Sequence, residues 1–145
     1  APPDPREYDR EAVLRRCGLA DRPVLVDCPA GAGPDAVAPL RIADAAVLVT
    51  TPCLPAFRDA EKVAAMAEAV GTPVVAVVVN RTNTAPEPLA SALDCEMAVS
   101  VPCGDSPVLS DERVQRAFAE IAPKLREYCR PPNETPTAEN VVRGQ

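Results

Sequence analysis

The chain predicts an α/β protein whose mostly parallel sheet is flanked by helices. Three observations carry that expectation. Aliphatic runs of strand length, "RPVLVD", "AAVLVTTP", "PVVAVVVN" and "CEMAVSVP", alternate with segments of helical pattern. Two of the runs are apolar almost without a break, as strands buried on both faces are. Each run ends in polar or conformationally special residues. Alternating strands and helices imply parallel pairing through right-handed crossovers. Ligands in such sheets sit beyond the carboxyl ends of the strands.

The elements follow in order. "APPDP" is a proline-rich lead-in, and "REYDREAVLRRCG" reads as a short helix closed by Gly18, because glycine readily takes the left-handed position after a helix. "RPVLVD" is a strand and "CPAGAGPDA" a loop. "PDAVAPLRIAD" holds one or two helical turns, interrupted at Pro39. "AAVLVTTP" is the next strand. "AFRDAEKVAAMAEAVG" is the clearest helix, with Phe57, Ala60, Val63, Ala64, Ala67 and Val70 on one stripe and Gly71 at its end. "PVVAVVVN" is a strand, "NTAPEPLASALD" a loop with a short helix, and "CEMAVSVP" a strand. "SDERVQRAFAEIAPKLREYCR" is the last helix, with Ser110 as its expected N-cap and Val114, Phe118, Ile121 and Leu125 as its apolar stripe. Pro123 should kink or divide it. Residues 1–130 are expected to form one domain and 131–145 a flexible tail with too few anchors to fold.

Composition narrows the function. The 145 residues carry a net charge of −6 and no histidine. That argues against a general nucleic-acid surface, which needs a basic field to displace counterions. Six cysteines form no Cys-x-x-Cys pair, and no histidine can complete a zinc site. They read as reduced, mostly buried small hydrophobes of a cytoplasmic protein. No apolar run reaches the ~20 residues of a membrane span.

The strand ends "VDCPAG", "VTTP", "VVNR" and "SVPCGD" should gather along one rim. A carboxylate at the tip of a buried strand, Asp27, is costly unless it is paired, hydrogen-bonded or near a cation. Magnesium, held directly or through water, would satisfy it; so would a local turn that it caps. Gly31 and Gly33 let backbone N–H groups approach phosphate oxygens closely, or form an ordinary strand-to-helix loop.

With "VLVDCPAGAG", "ADAAVLVTTPCLPAFRDAEKV", "VVAVVVNRTN" and "VSVPCGDSPVLS" in this order, residues 20 to 125 resemble the MinD/ParA class of P-loop ATPases, MinD-type proteins above all. The resemblance implies a P-loop NTPase-like fold that binds ATP with Mg2+, and a nucleotide-dependent dimerisation switch of the positioning or partitioning type. It implies that Asp27 reaches the magnesium through water and that the Gly31 backbone senses the γ-phosphate. It further implies that Asn80 reads the adenine edge and that Pro102 and the loop after it wall the base. Arg58 and Asp59 match a surface of dimer or partner contact, or are a solvated local charge pair. Arg81 lines the base pocket or is a loop cation.

One part of the pattern is missing. No G-x-x-x-x-G-K-[ST] occurs, and the only lysines, Lys62 and Lys124, lie in helical segments without a glycine frame. Without that loop the β- and γ-phosphates lose their backbone cradle, and the chain alone should not hydrolyse ATP at a useful rate. It is either the C-terminal part of a longer ATPase or a non-catalytic interaction module on the same scaffold. The resemblance places the phosphate-loop strand between the strand bearing Asp27 and the one ending at "VTTP". Its absence leaves a slot or forces those two strands together, and an unfilled slot exposes apolar edges that invite pairing with another chain, so a homodimer or a protein partner is expected. The end of the chain has little basic charge and no apolar stripe, which predicts no membrane anchor. An unrelated receiver-like domain would want a late-strand lysine, which is absent, and a flavin site an aromatic loop.

Overall fold

A computed structural model describes residues 16–18, 23–31, 33–84, 86–95, 97–103 and 110–128. Contacts divide the chain into two compact units, 1–25 with 129–145, and Val26–Tyr128. All the elements described below lie in the second. They run α1 (Pro34–Ile42), β1 (Ala46–Thr50), α2 (Leu54–Val70), β2 (Val74–Asn80), α3 (Glu87–Ala92), β3 (Ala98–Val101) and α4 (Glu112–Tyr128). The three strands form one parallel sheet in the order β1-β2-β3. The predicted α/β class and parallel pairing therefore hold. Most of the helix expected over residues 6–18 and the tail over 131–145 lie outside the described residues, as does the boundary between them. Gly18 has the left-handed φ of +66° expected of it.

β2 is central, and Val75 to Val79 are all buried. On one face Leu48, Val77 and Val79 pack with Ala60 of α2 and with Leu93 and Cys95 after α3. Leu40 of α1, Ala46 and Ala67 extend that layer. On the other face Val78, Val99 and Val101 pack against Val114, Ala117 and Ile121 of α4. The two strand-helix-strand units thus cover one face of the sheet, and α4, which follows β3, covers the other.

α2 follows its stripe closely. Ala60 and Ala67 are buried, and Phe57, Val63 and Ala64 pack against the core. Gly71 closes it in the left-handed region at φ +80°, with its N–H and that of Thr72 bonded back to Glu68 and Ala67. Asp59 pairs with Lys62 at 2.8 Å, not with Arg58 as the local charge-pair reading had it. The pair is exposed and contributes little.

The structure corrects four expectations. Pro23 to Pro29 form no strand, and Leu25 is 90 % exposed. A strand needs a neighbour to take its backbone hydrogen bonds, and no strand borders the outer edge of β1 among the described residues. The second correction concerns Pro39, which does not interrupt α1. An interior proline costs about 3 kcal/mol, but Ala36 and Leu40, one turn apart, are both buried and hold the helix on the core. Thr72 adds a buried hydroxyl bond to the Leu40 carbonyl at 2.6 Å. Pro123 likewise stays inside α4. Its exposed side leaves the freed carbonyl of Ala119 to water, while Ile121 and Leu125 seat the helix on either side. The third correction is the cysteines: Cys17, Cys28, Cys53 and Cys103 are exposed, and only Cys95 is buried among those described. Cys53 and Cys103 lie just beyond the ends of β1 and β3, where the sheet meets solvent, and Cys28 lies in the extended stretch that forms no strand.

The fourth concerns α4. Its cap is Asp111, not Ser110. Asp111 Oδ1 accepts the Arg113 backbone N–H at 2.9 Å, and the Asp111 carbonyl accepts the first helical bond from Gln115 at 3.0 Å. Two guanidinium contacts from Arg113 complete the arrangement. The Arg113 side chain, then the helix N–H groups, hold the Asp111 carboxyl down at about 2. A depressed carboxylate stabilises fully above its unfolded pKa and loses that contribution as pH falls through the folded one. For Asp111 the window runs from about pH 4 to about pH 2. Asparagine caps equally well without titrating. Thermal melts followed by circular dichroism are therefore expected to show a smaller loss across that window for Asp111→Asn than for the wild type.

Candidate functional site

The register places Thr50 beside Val79 and Asn80 beside Val101, so the three strands end along one rim. β1 runs there into Thr51, Pro52 and the start of α2. β2 ends on Asn80, and β3 passes directly into Pro102.

At the centre of the rim the half-buried Asn80 fixes a sharp turn. Its Oδ1 accepts the Arg81 N–H at 2.9 Å. Arg81 has φ +62°, an uncommon conformation for a residue with a side chain. The turn is closed by the Thr82 N–H on the Val101 carbonyl at 3.1 Å and by the Thr84 N–H on the Thr82 hydroxyl at 3.0 Å. With one carbonyl lone pair engaged, Asn80 keeps its two amide protons and a second lone pair for another group. A planar ring edge with a donor beside an acceptor matches that pattern.

Beside it, Cys53 holds the N-cap position of α2 without a side-chain cap bond. Its Sγ lies 3.5 Å from the Thr51 hydroxyl. That hydrogen bond, then the Ala56 backbone N–H, pull the thiol below its ordinary pKa. Cys28 goes the other way: partial covering of its thiol, then the neighbouring Asp27 carboxylate, raise it. Only the thiolate attacks an alkylating agent. Cys53 is therefore expected to react with iodoacetamide faster than Cys28 at mildly alkaline pH. Peptide mapping of a time course measures both rates in one sample, and equal rates would contradict the assignment.

The other expected site residues lie as follows. Asp27 is exposed in the extended stretch before Gly31. Gly31 is exposed with φ +98°, and a Cβ there would meet nothing within 4 Å. Glycine is therefore required by conformation and not by space. Pro102 is buried and borders, with Thr82 and Asn83, a groove of about 360 Å³ along the outer side of β3. Asp27, Gly31 and Asn80 are not part of its lining. No cluster of three or more acidic, cysteine or histidine side chains able to hold a metal ion occurs among the described residues. No helix among them is long and apolar enough to cross a membrane.

Sequence reasoning missed three features. The positive φ of Arg81 had no local signal, because arginine carries no preference for it. Cys53 sits in "TTPCLP", where Pro55 in the following turn marks a helix start, so its place before α2 was open to inspection. The groove needed the packing of α4 on the sheet.

No protein-family model matches the chain. Curated proteins do. Residues of the chain are 30% identical over 119 positions to an uncharacterized ATP-binding protein of Methanocaldococcus jannaschii, covering 81% of this chain and 44% of that one. A putative septum site-determining protein MinD of Chlorella vulgaris is 47% identical over 60 residues, 41% of this chain and 21% of its own length. The chloroplastic MinD homologue of Arabidopsis thaliana is 39% identical over 61 residues, 42% of this chain and 19% of its own. The chain thus spans less than half the length of these relatives. Among solved structures, the MinD cell division protein of Aquifex aeolicus superposes with a TM-score of 0.62 at 22% identity, over 86% of this chain and 61% of that one. That likeness concerns the fold.

Proposed function

The chain is a relative of the MinD/ParA-like P-loop ATPases, and from that premise we propose that it forms the base-binding, C-terminal part of an ATP-dependent dimerisation switch. The observation that carries the reading is the rim residue Asn80, half-buried and level with Val101 at the end of a parallel sheet, its amide protons free for a purine edge. In this reading Asn80 recognises adenine and Pro102 walls the base. The Gly31 backbone N–H, in a turn that needs a positive φ, would face the terminal phosphate. Asp27 would hold Mg2+ through water. The ion would neutralise phosphate charge. The phosphate cradle comes from sequence outside these residues, and the switch acts in positioning or partitioning in the cytoplasm.

Titration of ATP and ADP with magnesium onto the gene product, read from its natural start codon, tests the proposal. Binding of both nucleotides is the expected result, and no binding overturns it. An upstream glycine-lysine loop in the same reading frame accompanies the first outcome. A second reading, a non-catalytic interaction module, rests on the absence of that loop from these 145 residues. A start codon immediately before Ala1 and silence to nucleotide are its expected signs.

A further inference from the structure

The groove beside β3 has the composition of a self-complementary contact. Its floor is Ala98, Val99 and Ser100, and α4 supplies Arg116, Ala117 and Glu120 as one wall. Among the described residues no strand pairs with the outer edge of that floor. The Val77 N–H bonds the Met97 carbonyl at 2.9 Å, and the Thr82 N–H bonds the Val101 carbonyl at 3.1 Å. Alternate residues of a parallel strand face the same partner, so Met97, Val99 and Val101 turn their backbone groups to β2. Ala98 and Ser100 turn theirs into the groove. Four residues with no charge and no proline do little to block pairing there.

The wall supplies the choice of partner. Arg113 is engaged by Asp111. Arg116 and Glu120 lie one helical turn apart on the same flank of α4, and neither takes part in an ion pair among the described residues. An acidic peptide would gain Arg116 but meet Glu120 at once, and a basic one the reverse. A second copy of this chain, turned by a two-fold axis, satisfies both.

We propose that the chain dimerises through the β3 edge: β3 pairs antiparallel with β3 of a second copy, and Arg116 of each copy meets Glu120 of the other. The two-fold axis passes at Val99, setting Ala98 of each copy opposite Ser100 of the other. That register closes about four backbone hydrogen bonds. It joins the two three-stranded sheets into one continuous sheet. An isologous contact of this kind closes on itself and does not propagate. The contact requires no nucleotide, so it stands or falls separately from the switch proposed above.

Sedimentation equilibrium of the 145-residue chain, without nucleotide and at low salt, tests it. The wild type is expected to form a dimer. R116E and E120R each place like charges across the axis twice, and the dimer dissociation constant is expected to rise roughly tenfold or more. The double swap R116E/E120R restores opposite charges and should return affinity to within a few-fold of the wild type. Circular dichroism confirms that these surface variants keep their fold. Amide exchange at Ala98 and Ser100 should slow as concentration rises. A wild type monomeric up to its solubility limit overturns the proposal. So does a dimer indifferent to both single reversals, or a double swap no tighter than either one.

Discussion

Ile121→Ala is expected to lower the stability of the domain by about 2–5 kcal/mol, the range for deleting a buried isoleucine side chain to alanine. Ile121 is 5% exposed and packs in the cluster that joins α4 to Val78, Val99 and Val101. α4 reaches the sheet through Val114, Ala117 and Ile121, and one of those is only a methyl group. The cavity has little chance to collapse, because Pro123 two residues on stiffens the backbone. Small domains have roughly 5–15 kcal/mol in all, so the variant sits near the edge of folding. Chemical melts by circular dichroism read the change, and the chain contains no tryptophan to offer a fluorescence signal. Ile121→Val should cost about 0.5–1.5 kcal/mol. Phe118→Ala is the contrast. Helical periodicity puts Phe118 on the same apolar stripe, yet it is 52% exposed, and its removal should change stability by less than that of the smaller Ile121. A larger loss at Phe118 than at Ile121 would mean that α4 is seated differently.

The contrast shows where the sequence was informative. Period and punctuation located β1, β2, β3, α2 and α4, because each is a segment whose own residues state its geometry. Gly71 announced its left-handed turn because only glycine takes it without cost. The failures share a different cause. "PVLVD" has strand composition, but composition does not say whether a neighbouring strand is there to accept its hydrogen bonds. Pro39 and Pro123 break a helix only when tertiary packing does not outweigh the lost bond. Ser110 and Asp111 are both good caps, and the choice between them depends on where Arg113 folds back. At the site, strand order and parallel register made the rim legible, and with it the places of Asn80 and Pro102. The left-handed turn at Arg81 was not legible, because arginine carries no preference for it.

An asymmetry of the sheet has the same origin. Val49 stands beside Val78, which faces α4, yet Val49 is 67% exposed. α4 lies over β2 and β3 and reaches Val47 of β1 but not Val49, while α2 covers the opposite side. Parallel sheets normally bury both faces, so the exposed Val49 and the outer edge of β1, unpaired among the described residues, mark one place where further polypeptide would complete the layer. Relatives more than twice as long as their matched segment have the material for it. The β3 edge differs, since on the dimer proposed above a second copy completes it.

On the nucleotide reading, Asn80→Ala in the natural gene product is expected to raise the dissociation constants of ATP and ADP roughly 10- to 100-fold. The estimate takes about 1–3 kcal/mol for hydrogen-bonding groups left without their partner. Alanine also removes the oxygen that holds the Arg81 N–H, so lost affinity could follow from a loosened turn alone. Asn80→Asp separates the two effects. Aspartate keeps an acceptor for Arg81 but offers no amide protons to a base. It should therefore preserve the melting midpoint while losing most of the affinity. Arg81→Gly completes the set: glycine takes a φ of +62° without strain, and the variant should be at least as stable as the wild type and bind nucleotide normally. Isothermal titration gives the affinities and thermal melts the stabilities. Wild-type affinity in Asn80→Asp would remove Asn80 from base recognition and leave it as the clasp of a turn.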